Sequence, residues 1–285
     1  MVAALLTALL CWACTDDTAE SPDTRPVLTI AAAEDTWQSQ TVTITRAGET
    51  LETLKDVGFG IFSTSLGLDN KKVQWKNDSW NYGNKLLWPG LTSVNTSTEF
   101  LAYAPYNYTG SAISLSDKKI TFEPTTNNSI DLMWAKGSVS STGTVTFNFH
   151  HALGRLSFGY ITNNYGRDIT LTKITFIGRR YTSGQLSLAD GSWTNLQPDD
   201  LSSASDSENK YIKDLPIDIS EGKSVLLSLP EIMQIPGDDA RIKMKFTFTS
   251  TNYNEEVESE YIPFEAGINK TVNLTINMNH EVVVQ

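Results

Sequence analysis

Hydrophobic and polar residues alternate in short runs along most of this chain, a period that predicts β-strands. The best patterned stretch is residues 144–161, TVTFNFHHALGRLSFGYI, near the middle of the sequence. Because side chains two positions apart share a strand face, each half of this stretch has one apolar face. These faces comprise Val145, Phe147 and Phe149 before the segment HHALGR, and Leu156, Phe158 and Tyr160 after it. The short joint indicates a boundary between two consecutive β-domains.

Similar runs recur on both sides of this joint, separated by turns rich in Gly, Asn, Asp and Ser. The clearest runs are residues 57–64, 98–106, 119–123, 168–178, 184–194, 224–230, 241–250, 258–264 and 270–278. Helical periodicity over three turns is not visible anywhere. The pattern therefore predicts an all-β fold with two β-sandwich domains, an N-terminal one over 29–150 and a C-terminal one over 151–285.

The N-terminal residues are typical of a targeting segment. Residues 1–14 are apolar and then give way to an acidic stretch, which is typical of a signal peptide and too short for a membrane span. Ala13 followed by Cys14 is similar to a bacterial lipobox and predicts lipidation of Cys14, with a plain cleaved signal as the alternative. Residues 15–28 are polar and predict a flexible tether. Since Cys11 and Cys14 are the only cysteines, the folded part has neither a disulfide nor a cysteine-bound metal.

Composition and motifs argue against catalysis and nucleic-acid binding. A formal net charge of -11 with scattered cations disfavours nucleic acid as a partner. His150 and His151 are neighbours in a strand and point to opposite faces, so we expect one ring to be packed and the other solvated. The motifs of nucleophile elbows, metalloproteases and nucleotide sites do not occur, and we expect neither a metal, a cofactor nor an enzyme. A hydrolase with two unrecognised carboxylates stays as an alternative.

Aromatic residues are concentrated in QWKNDSWNYGNKLLWPG. Trp75, Trp80, Tyr82 and Trp88 could form a platform for sugar rings, which would make the protein a non-catalytic glycan-binding lipoprotein of the cell surface. The competing interpretation is a hairpin with its turn at Lys76 to Ser79, whose tryptophans are buried. Both interpretations stay open on the sequence.

Several motifs in order resemble the fimbrillin family of lipid-anchored pilus subunits from Bacteroidetes-type bacteria. They are TRAG at 45–48, FLAYAPY at 100–106, DLMWA at 131–135, FNFHHALGRLSF at 147–158 and PFEAG at 263–267. The resemblance implies two tandem transthyretin-like β-sandwich domains and a structural or adhesive subunit of cell-surface fimbriae. It also implies an outer-membrane lipoprotein whose partners are other fimbrial subunits and, for an adhesive subunit, host or bacterial surface ligands.

In stalk subunits of that family a protease removes the first strand, and a terminal strand of the next subunit fills the groove. The resemblance places the cleavage after Arg46, with Arg25 as a poorer second because a proline follows it. It places the donor strand among Val272, Leu274, Ile276, Val282 and Val284. The alternatives are an ordinary strand-end arginine, an ordinary final strand, and a tip or accessory adhesin that does not polymerise.

Overall fold

The computed structural model describes residues 27–34, 38–39, 51–83, 99–106, 113–114, 118–124, 130–140, 143–201, 215–251, 253–279 and 282–284. Almost all of the secondary structure in these ranges is β-strand, which confirms the all-β prediction. Within the described ranges, no helix has the length and apolarity that crossing a membrane requires.

The elements are numbered in chain order. The first half contains β1 (Thr29–Glu34), β2 (Gln38–Ser39), α1 (Leu51–Val57), β3 (Phe59–Ser63), the 3-10 turn η1 (Thr64–Leu66), β4 (Leu68–Lys76), β5 (Ser79–Asn81), β6 (Phe100–Ala104), β7 (Ile113–Ser114), β8 (Lys119–Phe122), β9 (Met133–Val139) and β10 (Thr144–His151). The second half contains β11 (Gly154–Asn164), β12 (Ile169–Ser187), β13 (Trp193–Asp200), β14 (Ile217–Ile219), β15 (Ser224–Leu226), β16 (Ile232–Gln234), β17 (Arg241–Ser250), β18 (Tyr253–Glu258), β19 (Ile262–Pro263), β20 (Ile268–Asn277) and β21 (Val282–Val284).

The described strands form three sheets. The first has the order β1-β10-β9-β6-β3-β4-β5, the second β15-β11-β20-β2, and the third β18-β17-β12-β8-β7. Short strands extend the last two, since β16 pairs with β11, β21 with β20, β13 and β14 with β12, and β19 with β17. β8 comes from the first half of the chain and pairs with β12, so sheet pairing crosses the domain boundary predicted after residue 150.

The side chains of these sheets pack into two hydrophobic cores. The smaller core lies on one face of the first sheet and contains Phe59, Phe100 and Phe147. The larger core contains residues of the second and third sheets, and it also takes Leu101 and Tyr103 from the first sheet. Because neighbours along β6 point to opposite faces, this one strand contributes to both cores.

α1 is the one regular α-helix that the described residues contain, and it has only seven residues. It is shorter than the three turns over which a sequence period becomes visible. Leu54 of this helix is fully buried in the smaller core.

β11 contains a β-bulge that alternation does not predict. Its register against β20 shifts between Phe158 and Ile161. Leu156 and Ile161 are both fully buried, although five positions apart would place them on opposite faces of a regular strand. The expectation that Tyr160 shares the apolar face of Leu156 is therefore wrong, since Tyr160 is 42% exposed. The backbone N–H of Tyr160 donates to Oδ1 of Asn273 at 2.9 Å, which gives this donor of the bulged strand a hydrogen-bond partner.

A tight turn between β12 and β13 contacts the first sheet. Hydrogen bonds from the Ser187 side chain and then from the backbone and hydroxyl of Ser192 lower the pKa of Asp190 to about 2. Gly191 follows with φ of +73°, and a Cβ there would lie 2.3 Å from the Trp134 ring. The missing side chain of Gly191 thus lets the turn pack directly on β9.

Replacement of this glycine tests the contact. We expect Gly191→Ala to lower the free energy of unfolding by about 2–4 kcal/mol, since it combines a strained backbone with a clash against Trp134. Gly222→Ala is the matched control, because Gly222 has φ of +67° and no atom within 4 Å of its Cβ position. Only the backbone cost, about 1 kcal/mol, is expected there. Equal losses in urea unfolding would show that packing on Trp134 contributes nothing.

Candidate functional site

The N-terminal segment supplies β1, the edge strand at one end of the first sheet. β1 runs parallel to β10, from Thr29 opposite Thr144 to Glu34 opposite Phe149. β9 occupies the other edge of β10. The backbone N–H of Thr29 donates to the carbonyl of Gly143 at 3.0 Å, and the hydroxyls of Thr29 and Thr144 lie 2.8 Å apart. β1 therefore supplies the backbone partners of β10 along this edge.

An aromatic part of the smaller core lies beneath this edge. Phe147 and Phe149 of β10 are fully buried, and both contact Phe59 edge-on at centroid distances of 5.9 and 5.1 Å. Leu28, directly before β1, is 2% exposed in the same core. Its carbonyl accepts a hydrogen bond from the Tyr82 hydroxyl at 2.7 Å. Loss of β1 would uncover a row of backbone groups together with apolar side chains.

The same segment also reaches the second sheet. β2 pairs in parallel with the start of β20, with Gln38 opposite Ile268 and Ser39 opposite Asn269. β21 pairs antiparallel with the other end of β20. Because β11 occupies one edge of β20 from residue 269 to 277, β2 and β21 share the opposite edge. β2, from the N-terminal part of the chain, and β21, from the C-terminal part, therefore pair with the same strand.

The predicted donor residues fall into two different environments. Val272, Leu274 and Ile276 are at most 1% exposed and belong to the larger core, in a strand with partners on both sides. Val282 and Val284 lie in β21, which the described pairings connect to β20 alone. The sequence pattern does not distinguish these environments, because both stretches are apolar.

Three predicted site residues, Cys14, Arg46 and Trp88, lie outside the described residues, as does His280. The hydrophobic pattern did not predict β1 itself as a strand. Its sequence TIAAAE lacks alternation, and small alanines carry no clear signal of an edge strand.

The other predicted platform residues pack inward. Trp75 and Trp80 face each other across the β4–β5 hairpin, with their rings edge-on at 5.2 Å. Trp80 is 9% exposed and Tyr82 is 7% exposed. Trp80 also contacts Phe59 at 4.9 Å, and the Lys55 Nζ lies 4.7 Å from the Trp75 ring centroid. These rings offer little open face to a sugar.

The joint HHALGR is held by three distant parts of the chain. The N–H of Ala152 donates to the carbonyl of Leu132 at 2.8 Å, and the indole N–H of Trp193 donates to the carbonyl of Ala152 at 3.0 Å. The N–H of Gly267 donates to the carbonyl of Leu153 at 2.9 Å. The segments DLMWA, HHALGR and PFEAG, which are far apart in sequence, therefore meet in one place.

A buried polar pair lies at this joint. Nδ1 of His151 is 2.9 Å from Oδ1 of Asp131, and the two side chains are 1% and 0% exposed. His150 points the other way, is exposed, and lies against Trp134 at 5.2 Å. This arrangement confirms the prediction of one packed and one solvated histidine. Among the residues that the structure describes, no group of three or more His, Cys, Asp or Glu side chains could hold a metal ion.

A charged cavity of about 300 Å³ lies on the third sheet. Arg179 in its wall contacts Asp200 through Nε at 2.9 Å and Asp239 through a terminal nitrogen at 3.3 Å. The hydrogen bond to Asp200, followed by the charge of that carboxylate, raises the pKa of Arg179. Arg241 lies over the Tyr261 ring at 4.9 Å. Arg179 is thus already paired with carboxylates of the protein, and Arg241 already contacts an aromatic ring.

Comparison with known proteins identifies the family of this chain. A family model described as Fimbrillin-like matches residues 31–285. The chain belongs to the fimbrillin-like family. This confirms the family that the sequence motifs predict.

Two solved structures share the fold of this fimbrillin-like protein. One, with a proposed role in cell adhesion, comes from Bacteroides ovatus ATCC 8483; it is 15% identical with a TM-score of 0.50, covering 92% of this chain and 95% of its own. Another with the same proposed role, from Parabacteroides distasonis ATCC 8503, is 8% identical with a TM-score of 0.56, covering 91% and 96%. Such identities support the fold alone. No curated protein matches the chain in sequence.

The buried pair at the joint gives a stability prediction. Asp131→Asn keeps the shape of the side chain but replaces the carboxylate that faces His151, and we expect a loss of about 1–3 kcal/mol in urea unfolding. His150→Asn, on the exposed side of the same strand, should cost less than about 1 kcal/mol. A loss of similar size for both variants would contradict a special role for the buried pair.

Proposed function

We propose that this fimbrillin-like protein is a subunit of cell-surface fimbriae, exported as an outer-membrane lipoprotein and assembled by addition of a β-strand between subunits. Family membership supports the fimbrial role. The position of β1 and β2 on the edges of two sheets is the observation that carries the assembly step. The protein acts as a structural or adhesive subunit and not as an enzyme.

Cleavage after Arg46 would separate β1 and β2 from the rest of the chain. β1 is at the end of its sheet, so it can leave without disrupting other strand pairs. Its departure removes the burial of Leu28, which contributes about 1.5–3 kcal/mol, and opens the edge of β10 over Phe147 and Phe149. An incoming strand would restore both backbone hydrogen bonds and apolar contacts.

β21 is the better candidate for the donor strand. It pairs only with residues 274–276 of β20 in the described part of the chain, so its release disrupts a three-residue pairing. Release of β20 would instead expose Val272, Leu274 and Ile276, at a cost of about 5–9 kcal/mol. Head-to-tail filling of this kind does not close on itself and therefore produces a filament.

The lipid anchor proposed at Cys14 would hold the subunit at the outer membrane before assembly. Partners would then be other fimbrial subunits, together with surface ligands where the subunit is adhesive. A tip or accessory adhesin that does not polymerise is the alternative, and the cleavage experiment distinguishes the two.

Native cleavage with an arginine-specific protease tests the assembly model on residues 15–285. We expect a cut after Arg46, followed by oligomers of regularly increasing mass as the freed edges take up donor strands. Intact mass and size-exclusion chromatography with light scattering measure both steps.

Two variants serve as controls. Arg46→Ala should block both the cut and the oligomers, whereas Arg25→Ala should change neither. A chain that ends at Asn279 should be cut normally but stay monomeric, since it lacks β21. A stable monomer after cleavage of the native chain would favour the tip or accessory role.

Lipidation is tested by expression of the full chain in a Bacteroidetes host with labelled palmitate. We expect label on the native chain and on Cys11→Ser, and none on Cys14→Ser, since thioether attachment requires the Cys14 thiol. Label retained by Cys14→Ser would contradict the anchor.

A further inference from the structure

A lysine-lined cavity of about 340 Å³ lies beside β4, on the first sheet. Among the described residues its lining includes Lys71, Lys72, Lys76, Asn70, Gln74 and Tyr106. We refer to this place as the lysine cavity. Tyr82, which is largely buried, also lines this cavity, whereas Trp75 and Trp80 of the same hairpin are not among its lining residues.

The strand pattern of β4 explains how the cavity forms. Asn70, Lys72, Gln74 and Lys76 alternate along the strand and share one face, while Val73 between them is fully buried on the opposite face. β5 pairs only with residues 74–76, so residues 68–73 form a sheet edge with no strand partner beyond β3 among the described residues.

Lys71 reaches this edge from the other face of β4. A Cβ built on Gly83 would lie 3.6 Å from the Lys71 Nζ, and Gly83 has φ of +93°. The N–H of Gly83 donates to Oδ1 of Asn81 at 2.8 Å, which stabilises this turn at the cavity wall. Ammonium groups from both faces of one strand therefore converge on the same opening.

These lysines have no carboxylate partner in the part of the chain that the structure describes. In the described ranges, no carboxylate lies within ion-pair distance, 4.0 Å, of Lys71, Lys72 or Lys76. Several other lysines are paired, as Lys245 is with Glu256 at 2.7 Å and Lys270 with Glu265 at 2.6 Å. In a chain of net charge -11, three neighbouring unmatched lysines form a local positive potential that attracts anions.

The remaining lining groups suit a hydroxylated ligand. The Lys72 Nζ lies 5.1 Å from the Tyr106 ring centroid, and that ring stacks on Tyr103 at 6.5 Å. The Tyr103 hydroxyl donates to Oδ1 of Asn70 at 2.8 Å and so orients the amide. Amide side chains with an aromatic ring bind sugar hydroxyls and ring faces, while lysines act as point charges for sulfate or carboxylate groups.

We propose that the lysine cavity binds an anionic saccharide chain through its sulfate or carboxylate groups. This goes beyond the proposed assembly role, because the lysines of the cavity lie on β4, outside the segment that cleavage would remove. The strongly acidic remainder of the surface disfavours a long polyanion such as nucleic acid, whereas a few sugar units contact only the positive region.

Isothermal titration of residues 15–285 with defined tetrasaccharides tests the proposal. The probes are a heparin-derived tetrasaccharide with sulfate and carboxylate groups, a hyaluronan tetrasaccharide with carboxylates alone, and neutral chitotetraose. We expect at least one anionic probe to bind, neutral chitotetraose not to bind, and Kd to rise several-fold between 50 and 200 mM NaCl. The two anionic probes show which charged group the cavity prefers.

Lysine variants locate the binding. Lys72→Gln with Lys76→Gln should raise Kd at least tenfold, and Lys71→Gln alone should raise it several-fold. The charge-matched control is Lys223→Gln with Lys245→Gln on the second half of the chain, for which Kd should stay within twofold. Unchanged thermal unfolding shows that the variants are folded.

Three outcomes would overturn the proposal. They are absence of binding by both anionic probes, equal binding of chitotetraose, and an equal loss of affinity in the control variant. If the β4 lysines instead only protect the sheet edge, their replacement would cause self-association without any change in saccharide affinity.

Discussion

Pairing of backbone groups at sheet edges is the constraint on which the rest of this structure depends. β10 lies over a row of buried aromatic side chains, so an unpaired N–H or C=O along its edge would be costly. The N-terminal segment satisfies this edge through β1 and then reaches β20 through β2. The two sheets therefore depend on a single peripheral segment, one that precedes Arg46 in sequence.

The joint between β10 and β11 provides the second organising feature. Its backbone groups are paired with Leu132, Trp193 and Gly267, which come from three separate regions. Gly154 at the end of the joint has no room for a side chain, since a Cβ there would lie 2.7 Å from the N atom of Glu265. This contact gives a physical reason for HHALGR and PFEAG to occur together in one sequence.

The β4–β5 hairpin shows how one pair of strands can carry two unrelated roles. Its inward side chains, Val73, Trp80 and Tyr82, fill the smaller core, and the Tyr82 hydroxyl donates to the carbonyl of Leu28 in the N-terminal segment. Its outward side chains, Asn70, Lys72, Gln74 and Lys76, border an open cavity, which Lys71 reaches from the inner face. Because alternation separates the two faces, substitutions on the outer face can change binding without altering the core.

Alternating hydrophobicity was sufficient to predict the all-β class, the strands around the joint and the opposite orientations of His150 and His151, because these features depend on local period. The motif order was sufficient for the family. The bulge at Tyr160, the pairing of β8 with β12 and the edge position of β1 required the tertiary structure. Each depends on a hydrogen-bonding partner far away in sequence, and a local pattern carries no information about which strand will supply it.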